Sequence, residues 1–211
     1  MEKTCAIISG GQYSSLENIA SASFIIACDK GLEYALKENV VPDLFVGDCD
    51  SVSIQIPSAV NKIILPREKD ETDTLYAIKY ALNEGYKDFV LYCALGNRLD
   101  HTLSNLQCCA CILSQGGTVK IVSESCEVYF VDSSKEKSLS LPEENENKKY
   151  ALSVLSYTNC CKGVSIKGAK YELNKALLAN DFPLGISNEF KNEAVIISCE
   201  EGILLVLVSA I

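Results

Sequence analysis

The chain has 211 residues, of which 48% are apolar and 22% are charged, and its formal net charge is −9. This composition is sufficient for a sizeable buried core and excludes a largely disordered chain. The negative charge argues against a nucleic-acid partner, because proteins that bind the phosphate backbone usually carry a basic stripe. The length allows either one large domain or two compact ones.

The two termini and the cysteines predict a cytoplasmic protein. The first residues, MEKTCAIISGG, lack the pattern of a signal peptide or membrane span, and the ten-residue GILLVLVSAI at the other end is the length of a buried strand. Eleven cysteines in such a chain indicate reduced, mostly buried thiols. Cys108 and Cys111 have CxxC spacing but fall in a leucine-rich helical segment, and a single histidine argues against zinc.

Up to residue 124, short apolar runs alternate with amphipathic segments, which is typical of an α/β domain with a mostly parallel sheet covered by helices. The last helix of this region follows Arg98. Its leucines and alanine recur at intervals of four and three and predict one buried stripe, formed by Leu99, Leu103, Leu106, Ala110 and Leu113. Asp100, Ser104 and Gln107 would lie on the free face.

Residues 125–211 contain mainly strand-like segments and predict an all-β, sandwich-like C-terminal domain. KYELNKALLAND has a composition that also suits a helix, and its neighbours favour a strand. PEENENKK, residues 142–149, is expected to be a solvated loop. We therefore divide the chain into a domain of residues 1–124 and a domain of residues 125–211.

Charged residues follow four successive apolar runs of the first domain. Ligands of α/β sheets bind beyond the carboxyl ends of the strands, so these positions are candidates for a site. They are Asp29, then Asp48 and Asp50, then Arg67, Asp70 and Asp73, and finally Arg98, Asp100 and His101.

Each of these features by itself also has a purely structural explanation. Thr72 or Asp73 makes a good helix N-cap, and GNRLDH could be a turn before a helix. Together, however, the carboxylates need a counter-charge, because two of them ~4 Å apart repel by roughly 1 to 4 kcal/mol, depending on the effective dielectric. Mg²⁺ accepts such oxygen ligands and commonly completes its shell with substrate phosphates, and arginine forks bind phosphate oxygens. The set predicts phosphoryl chemistry.

Four residues could support this site. Gly10 and Gly11 after the first strand could admit a nucleotide phosphate or simply form a turn, and Lys30 could assist there. His101 could act as a general acid or base, but at the start of a helix we favour a supporting role in which it orients Asp100 through a hydrogen bond.

Five segments of the chain resemble the thiamine pyrophosphokinase (thiamine diphosphokinase) family. They are ACDKG at 27–31, GDCDS at 47–51, DETD at 70–73, GNRLDH at 96–101 and GISNEF at 185–190, in the order of the family and spanning both domains. The resemblance implies an α/β domain that binds ATP and Mg²⁺, a C-terminal β-sandwich, and a homodimer holding thiamine where two subunits meet. The implied reaction transfers the terminal pyrophosphoryl unit of ATP to the thiamine hydroxyl, by attack at the β-phosphorus, and gives thiamine diphosphate and AMP.

The resemblance also assigns roles to residues. Asp48, Asp50 and Asp73 would be metal ligands and catalytic carboxylates, and Asp73 or Asp48 would receive the hydroxyl proton. Asp100 would be a further catalytic residue. The other assignments are nucleotide contacts by Asp29, Lys30, Arg67, Arg98 and His101, and substrate contacts by Asp70, Thr72, Ser187 and Asn188. Lys30 departs from the family, which often has glycine there, and this puts backbone contact with the nucleotide at that loop in doubt.

Two alternatives differ in chemistry. LFVGDCDSV resembles an apolar strand that feeds the DxD nucleophile of a haloacid-dehalogenase-type phosphatase, which would form a covalent aspartyl phosphate. Against it, Gly47 intervenes between strand and aspartate, and two earlier strands precede the motif. The other alternative is a nucleotide-binding regulator in which the aspartates serve only to sense Mg²⁺ and nucleotide.

Overall fold

The computed structural model describes residues 3–48, 54–135, 138–142, 149–191 and 193–211. The chain divides into two compact units, Met1–Glu124 and Ser125–Ile211. Among the described residues, no helix is long and apolar enough to cross a membrane. The ten cysteines within these residues are all free thiols, and seven of them are buried.

The first unit is built on a parallel six-stranded sheet. Its strands are β1 (Thr4–Ile8), β2 (Phe24–Cys28), β3 (Leu44–Gly47), β4 (Asn61–Ile64), β5 (Asp88–Tyr92) and β6 (Thr118–Val122). Their spatial order is β6-β5-β1-β2-β3-β4, and every neighbouring pair runs parallel. In β1 the consecutive residues Cys5, Ala6, Ile7 and Ile8 are all fully buried, so both faces of the sheet are covered there, as expected of a parallel sheet.

In the described part of the first unit, three α-helices and one short 3₁₀ helix (Ile19–Ser21) connect these strands. They are α1 (Gly31–Lys37), α2 (Asp73–Asn83) and α3 (Leu99–Ser114). Helix α1 packs on β1 and β2, α2 packs on β1, β2 and β3, and α3 packs on β6 and against α2. The α/β prediction for this part of the chain is confirmed.

The predicted buried stripe of α3 is confirmed at Leu113 and wrong at the start of the helix. Leu99 and Leu103 are 73% and 53% exposed, and the helix instead buries Asn105, Cys108, Cys109, Ile112 and Leu113. Residues spaced three and four apart define more than one stripe on a 16-residue helix. Small thiols and an asparagine lie closest to the neighbouring elements, and the bulkier leucines near the start of the helix face outward. Cys108 and Cys111, the CxxC pair, both lie within this helix.

Within its described residues, the second unit contains eight strands in two antiparallel sheets. They are β7 (Cys126–Asp132), β8 (Ser138–Leu141), β9 (Tyr150–Ser156), β10 (Cys160–Lys167), β11 (Leu173–Ala179), β12 (Gly185–Glu189), β13 (Val195–Ser198) and β14 (Ile203–Ala210). One sheet has the order β12-β9-β14-β7 and the other β11-β10-β13-β8. Alternate apolar residues of both sheets share one core, which includes Leu152, Val154, Ile166, Ile197 and Val206.

Two local predictions for this unit have definite outcomes. KYELNKALLAND contains β11, so the strand assignment is confirmed, and GILLVLVSAI contains β14. Of the expected loop PEENENKK, residues 143–148 lie outside the described residues.

Candidate active site

A cleft of about 230 Å³ lies in the first unit at the carboxyl ends of its central strands. It is lined by Ser9, Gly10 and Gly11 after β1, by Asp29 and Lys30 after β2, and by Gly96, Asn97 and Arg98 after β5. In the strand order, β1 lies between β5 and β2, and the chain builds the sheet outward from it in both directions. Such a switch point leaves a crevice between diverging connections, which is where α/β sheets bind ligands.

The predicted site residues divide into two groups with respect to this cleft. Asp29, Lys30, Thr72, Asp73, Arg98 and His101 line it. Arg67, Asp70 and Asp100 are described but are not among its lining residues, and all three are exposed. Asp48 belongs to the acidic group beside the cleft, through contacts given below, and Asp50 lies outside the described residues.

Asp29 is held in an unusual position by its backbone. It follows β2 directly, has a positive φ of 45°, and donates its backbone N–H to the carbonyl of Val46 at the end of β3. Its Oδ1 atom is buried without a hydrogen-bond partner within the described residues. Burial and the nearby carboxylates of Asp73 and Asp48 raise the pKa of Asp29 well above the usual range of an aspartic acid. A buried carboxylate oxygen without a partner is costly, and it marks a place where a cation would be stabilised.

Gly47 provides the space for this carboxylate. A Cβ atom at residue 47 would lie 2.1 Å from Asp29 Oδ1 and 3.0 Å from its Cγ, which is closer than real Cβ contacts. The glycine of the GDCDS segment therefore leaves room for the Asp29 carboxylate, and a larger residue at this position would require that side chain to move.

Helix α2 presents Asp73 at its first turn. Thr72 is the N-cap, and its hydroxyl accepts a hydrogen bond from the backbone N–H of Leu75 at 3.2 Å. Beneath this turn the buried hydroxyls of Ser9 and Thr74 are hydrogen-bonded at 3.0 Å, which ties the start of α2 to the loop after β1. The helix N-terminus adds a partial positive charge at the acidic end of the cleft.

Lys69, which the sequence did not single out, contacts two of the predicted site aspartates, although it is not among the residues that line the cleft. Its Nζ lies 2.7 Å from Asp73 Oδ1 and 4.0 Å from Asp48 Oδ2. The distance between Lys69 Nζ and Asp73 Oδ1 is that of an ion pair, although the two groups are not oriented for a hydrogen bond. The signal was present, because Lys69 lies within the REKDETD segment that supplied Asp70 and Asp73, four residues before Asp73.

At the floor of the cleft, the backbone after β1 lies close to the backbone after β5. The N–H of Gly11 donates to the carbonyl of Cys93 at 2.8 Å, and a Cβ at residue 11 would lie 2.5 Å from that carbonyl oxygen. Asn105 of α3, which the sequence reasoning did not single out as a site residue, is buried and donates its amide Nδ2 to the carbonyl of Ala94 at 2.8 Å. These bonds fix the loops after β1 and β5 side by side.

Arg98 and Asp100 form an exposed bidentate pair. The guanidinium Nε is 3.1 Å and Nη2 is 2.5 Å from the two carboxylate oxygens, and this contact holds the pKa of Asp100 below its usual range. His101 donates its backbone N–H to Asp100 at 3.0 Å. The orienting hydrogen bond expected from His101 thus comes from its main chain, and the side chain of His101 lines the cleft.

The donor set is suited to Mg²⁺. In the described part of the chain, no three acidic, histidine or cysteine side chains are already arranged to hold a metal ion, and that part does not include Asp50. Mg²⁺ does not need a complete protein cage, because it is usually bound by one or two carboxylates together with water and phosphates. The orphaned Oδ1 of Asp29 and the aspartates gathered around it are hard oxygen donors with an excess of negative charge, so the residues present fit this ion.

The predicted thiamine-contacting residues lie on β12 of the second unit. Asn188 is buried, and both ends of its amide bond to the backbone of Tyr171: Oδ1 accepts from the N–H of Tyr171 at 2.9 Å and Nδ2 donates to the carbonyl of Tyr171 at 2.7 Å. Ser187 is exposed and has a positive φ of 56°. A serine in this conformation is uncommon, and such residues are found disproportionately at functional sites.

The parallel sheet has an acidic cleft at its switch point, and the N-terminus of helix α2 lies at this cleft. Such a site is typical of enzymes that transfer phosphoryl groups. Comparison with known proteins identifies which one. Residues 16–122 match the thiamin pyrophosphokinase catalytic domain, and residues 138–204 match the thiamin pyrophosphokinase vitamin B1 binding domain. The chain belongs to the thiamin pyrophosphokinase family.

Individual relatives match this chain over nearly its whole length. The chain is 26% identical to the thiamine pyrophosphokinase of Bacillus subtilis (strain 168), over 97% of this chain and 98% of the relative. The crystal structure of thiamine pyrophosphokinase from Bacillus subtilis matches with a TM-score of 0.84 at 24% identity, covering 98% of this chain and 99% of that one. A thiamin pyrophosphokinase family protein from Enterococcus faecalis matches with a TM-score of 0.80 at 25% identity, covering 98% and 99%.

The activity follows from this membership. The chain is an enzyme that transfers the pyrophosphoryl group of ATP to thiamine. The predicted function and family are confirmed. The phosphatase and regulator alternatives find no support among these relatives.

Proposed function

We propose that pyrophosphoryl transfer takes place at the acidic cleft of the first unit, with Mg²⁺ held by Asp48, Asp73 and Asp50. The observation that carries this proposal is the unpartnered Oδ1 of Asp29 beside Asp73 and Asp48, a concentration of negative charge that Lys69 contacts. A bound Mg²⁺ would partly neutralise the negative charge of the phosphate oxygens and so stabilise the charge that develops on them during transfer. The remaining chemistry is the work of the chain's own residues.

The triphosphate of ATP fits the floor of this cleft. Gly10 and Gly11 allow close approach to the backbone, and the N-terminal turn of α2 directs a positive partial charge toward it. Lys30 supplies a full charge on the other side of the cleft. Arg98 is positioned for phosphate or nucleotide contact, since its pairing with Asp100 fixes the plane of the guanidinium.

Transfer of a pyrophosphoryl unit requires the thiamine hydroxyl to attack the β-phosphorus, so that AMP leaves. Asp73 or Asp48 receives the hydroxyl proton, directly or through water. Most of the rate enhancement then comes from positioning and charge stabilisation, as is general in phosphoryl transfer. Asp100 and His101 act in this scheme by holding Arg98 in place at the rim of the cleft. Arg67, Asp70 and Thr72 complete the loop that carries Asp73.

The second unit is proposed to bind thiamine, with Ser187 as a contact, and to form the homodimer. Support comes from the large apolar side chains that this unit exposes, which include Tyr171, Leu177, Phe182, Leu184 and Ile186, the last of them directly before Ser187 in the chain. Apolar surface of this kind is typical of ligand and subunit contacts. The free thiols support a reducing compartment, and hence a cytoplasmic enzyme.

Incubation of the purified protein with ATP, Mg²⁺ and thiamine tests the reaction. Chromatography should show thiamine diphosphate and AMP in equal amounts and no ADP. Absence of both products would overturn the proposal. Phosphate from radiolabelled ATP trapped covalently on the protein would instead indicate an aspartyl-phosphate mechanism.

A further inference from the structure

Lys69 is a cation in contact with the acidic cluster of the first unit, which is formed by Asp29, Asp48 and Asp73. Its Nζ lies between two of the proposed metal ligands, 2.7 Å from Asp73 Oδ1 and 4.0 Å from Asp48 Oδ2. Its side chain is 17% exposed, whereas Lys79 and Lys162, which form ion pairs at the surface, are 44% and 56% exposed. Lys69 is thus held at the carboxylates and is not a chance surface contact.

A metal ion and the ammonium group of Lys69 compete for the same oxygens. Each needs to approach the carboxylates of Asp73 and Asp48, and the two cations repel one another. Even single charges ~4 Å apart interact by roughly 1 kcal/mol in water and about 4 kcal/mol at an effective dielectric of 20. Binding of a divalent ion at these carboxylates therefore requires the ammonium group to move.

The displaced ammonium group needs a new anion. The anions that arrive with the substrate are the non-bridging oxygens of the triphosphate, and they arrive at this same site. A lysine has a flexible four-carbon stem with three donors at its end, so Lys69 can turn to them without movement of its backbone. A charge-assisted hydrogen bond to phosphate is about twice as strong as a neutral one.

We propose that Lys69 is the resident counter-ion of the metal-free site and becomes a phosphate-binding catalytic residue when metal and nucleotide are bound. This rests on the proposed function of the cleft. In the metal-free protein Lys69 stabilises the clustered aspartates. In the loaded enzyme it contacts the pyrophosphoryl unit being transferred and stabilises its developing charge.

The proposal predicts opposite effects of one substitution on two measurements. Lys69→Gln removes the competing cation, so Mn²⁺, used as a spectroscopic probe without nucleotide, should bind more tightly. We expect its Kd to fall at least tenfold, which corresponds to about 1.4 kcal/mol. In turnover, the same variant lacks a phosphate contact, and kcat/KM for ATP should fall about a hundredfold, as on loss of one donor to a developing oxyanion.

Two further variants are measured in parallel. Lys69→Arg keeps the charge, so its Mn²⁺ affinity should remain near that of the wild type. Lys79→Gln is the matched control, because Lys79 also pairs with a carboxylate, but with that of Glu71, which is not one of the clustered aspartates. It should change neither quantity. Electron paramagnetic resonance of free Mn²⁺ gives the affinity, and thermal unfolding checks that each variant is folded.

The outcomes are distinct. Tighter Mn²⁺ binding together with a lower kcat/KM for Lys69→Gln supports the proposal. A lysine with a merely structural role predicts weaker Mn²⁺ binding, and that result, an unchanged affinity, or an undiminished kcat/KM would each overturn it. The Mn²⁺ measurement does not depend on turnover, so a wild-type protein that formed no thiamine diphosphate would refute the proposed function separately.

Discussion

The carboxylate of Asp29 occupies the space that a side chain at Gly47 would fill, with 2.1 Å between Asp29 Oδ1 and the position of a Cβ at residue 47. The two residues lie at the ends of neighbouring strands, β2 and β3, which pair in parallel register up to Cys28 and Val46. The glycine of one motif thereby determines where the aspartate of another motif points.

Gly47→Ala should therefore displace Asp29 and damage the site. We expect loss of nearly all turnover and a decrease of about 1–3 kcal/mol in the free energy of unfolding, as for other overpacked sites. Gly10→Ala is the control for stability, because the nearest atom to a Cβ there is 3.6 Å away. Equal stability and activity of Gly47→Ala and the wild type would show that Asp29 has no role that depends on its position.

Asp73→Asn should abolish turnover and leave the fold intact. The amide keeps the size of the side chain and the cap of Thr72, but it removes a charge that the metal and the transferred proton both need. A decrease of at least about 10³-fold in kcat is expected, in line with loss of a principal catalytic group. Asp88→Asn is the matched control, because Asp88 lies at the end of β5 that is far from the cleft. Its carboxylate also accepts a hydrogen bond, from the hydroxyl of Thr118 at 2.6 Å. A fully active Asp73→Asn enzyme would remove this residue from the mechanism.

Removal of divalent metal should abolish activity and lower thermal stability. Ligand binding to the native state alone adds about 2.7 kcal/mol at a hundred times Kd. Differential scanning calorimetry with EDTA and with excess Mg²⁺ should therefore show a higher Tm with the metal. The increase should be much smaller in Asp73→Asn, and an equal increase in both proteins would place the metal elsewhere.

Asn188 and Ser187 should respond differently to alanine. Asn188→Ala leaves the N–H and the carbonyl of Tyr171 without their partners, so a decrease of about 2 kcal/mol in the free energy of unfolding is expected. Ser187→Ala should keep full stability and raise the KM for thiamine, because the hydroxyl is exposed and its backbone N–H still donates to Ser153. If Asn188→Ala raised only the KM for thiamine, Asn188 would be a direct contact, as the sequence predicts.

Asp132 should contribute to stability in a pH-dependent manner. Burial acts to raise its pKa, but hydrogen bonds from Ser134 and the contact with Lys135 outweigh this, so the pKa is lowered on folding. A lowered carboxyl pKa stabilises the fold above the unfolded value of about 3.9 and loses this effect as the pH falls through the folded value. Asp132→Asn should cost about 1 kcal/mol at pH 7. The difference from the wild type should disappear toward pH 2, as measured by thermal unfolding, and a difference independent of pH would contradict this account.

Part of the fold could be predicted because the pattern of residues is local. Strands such as β1 and β14 are continuous apolar runs, and Thr72 before Asp73 is a helix start that needs no tertiary information. The stripe of α3 failed because its spacing allows more than one face to be buried. Which face is buried depends on the neighbouring elements, so Leu99 lies exposed while Asn105 is buried.

The aspartates that follow successive strands predicted where the site lies. Parallel strands end at one edge of a sheet, so the residues that follow them lie together at that edge. The sequence determined by itself that Asp29, Asp48 and Asp73 would share that edge, and its motifs determined the family. The folded chain was needed to show that Lys69 lies among them, that Gly47 makes room for Asp29, and that the amide of Asn188 is bound to Tyr171. These depend on distances of a few ångströms between residues far apart in the chain, and spacing along a sequence does not encode such distances.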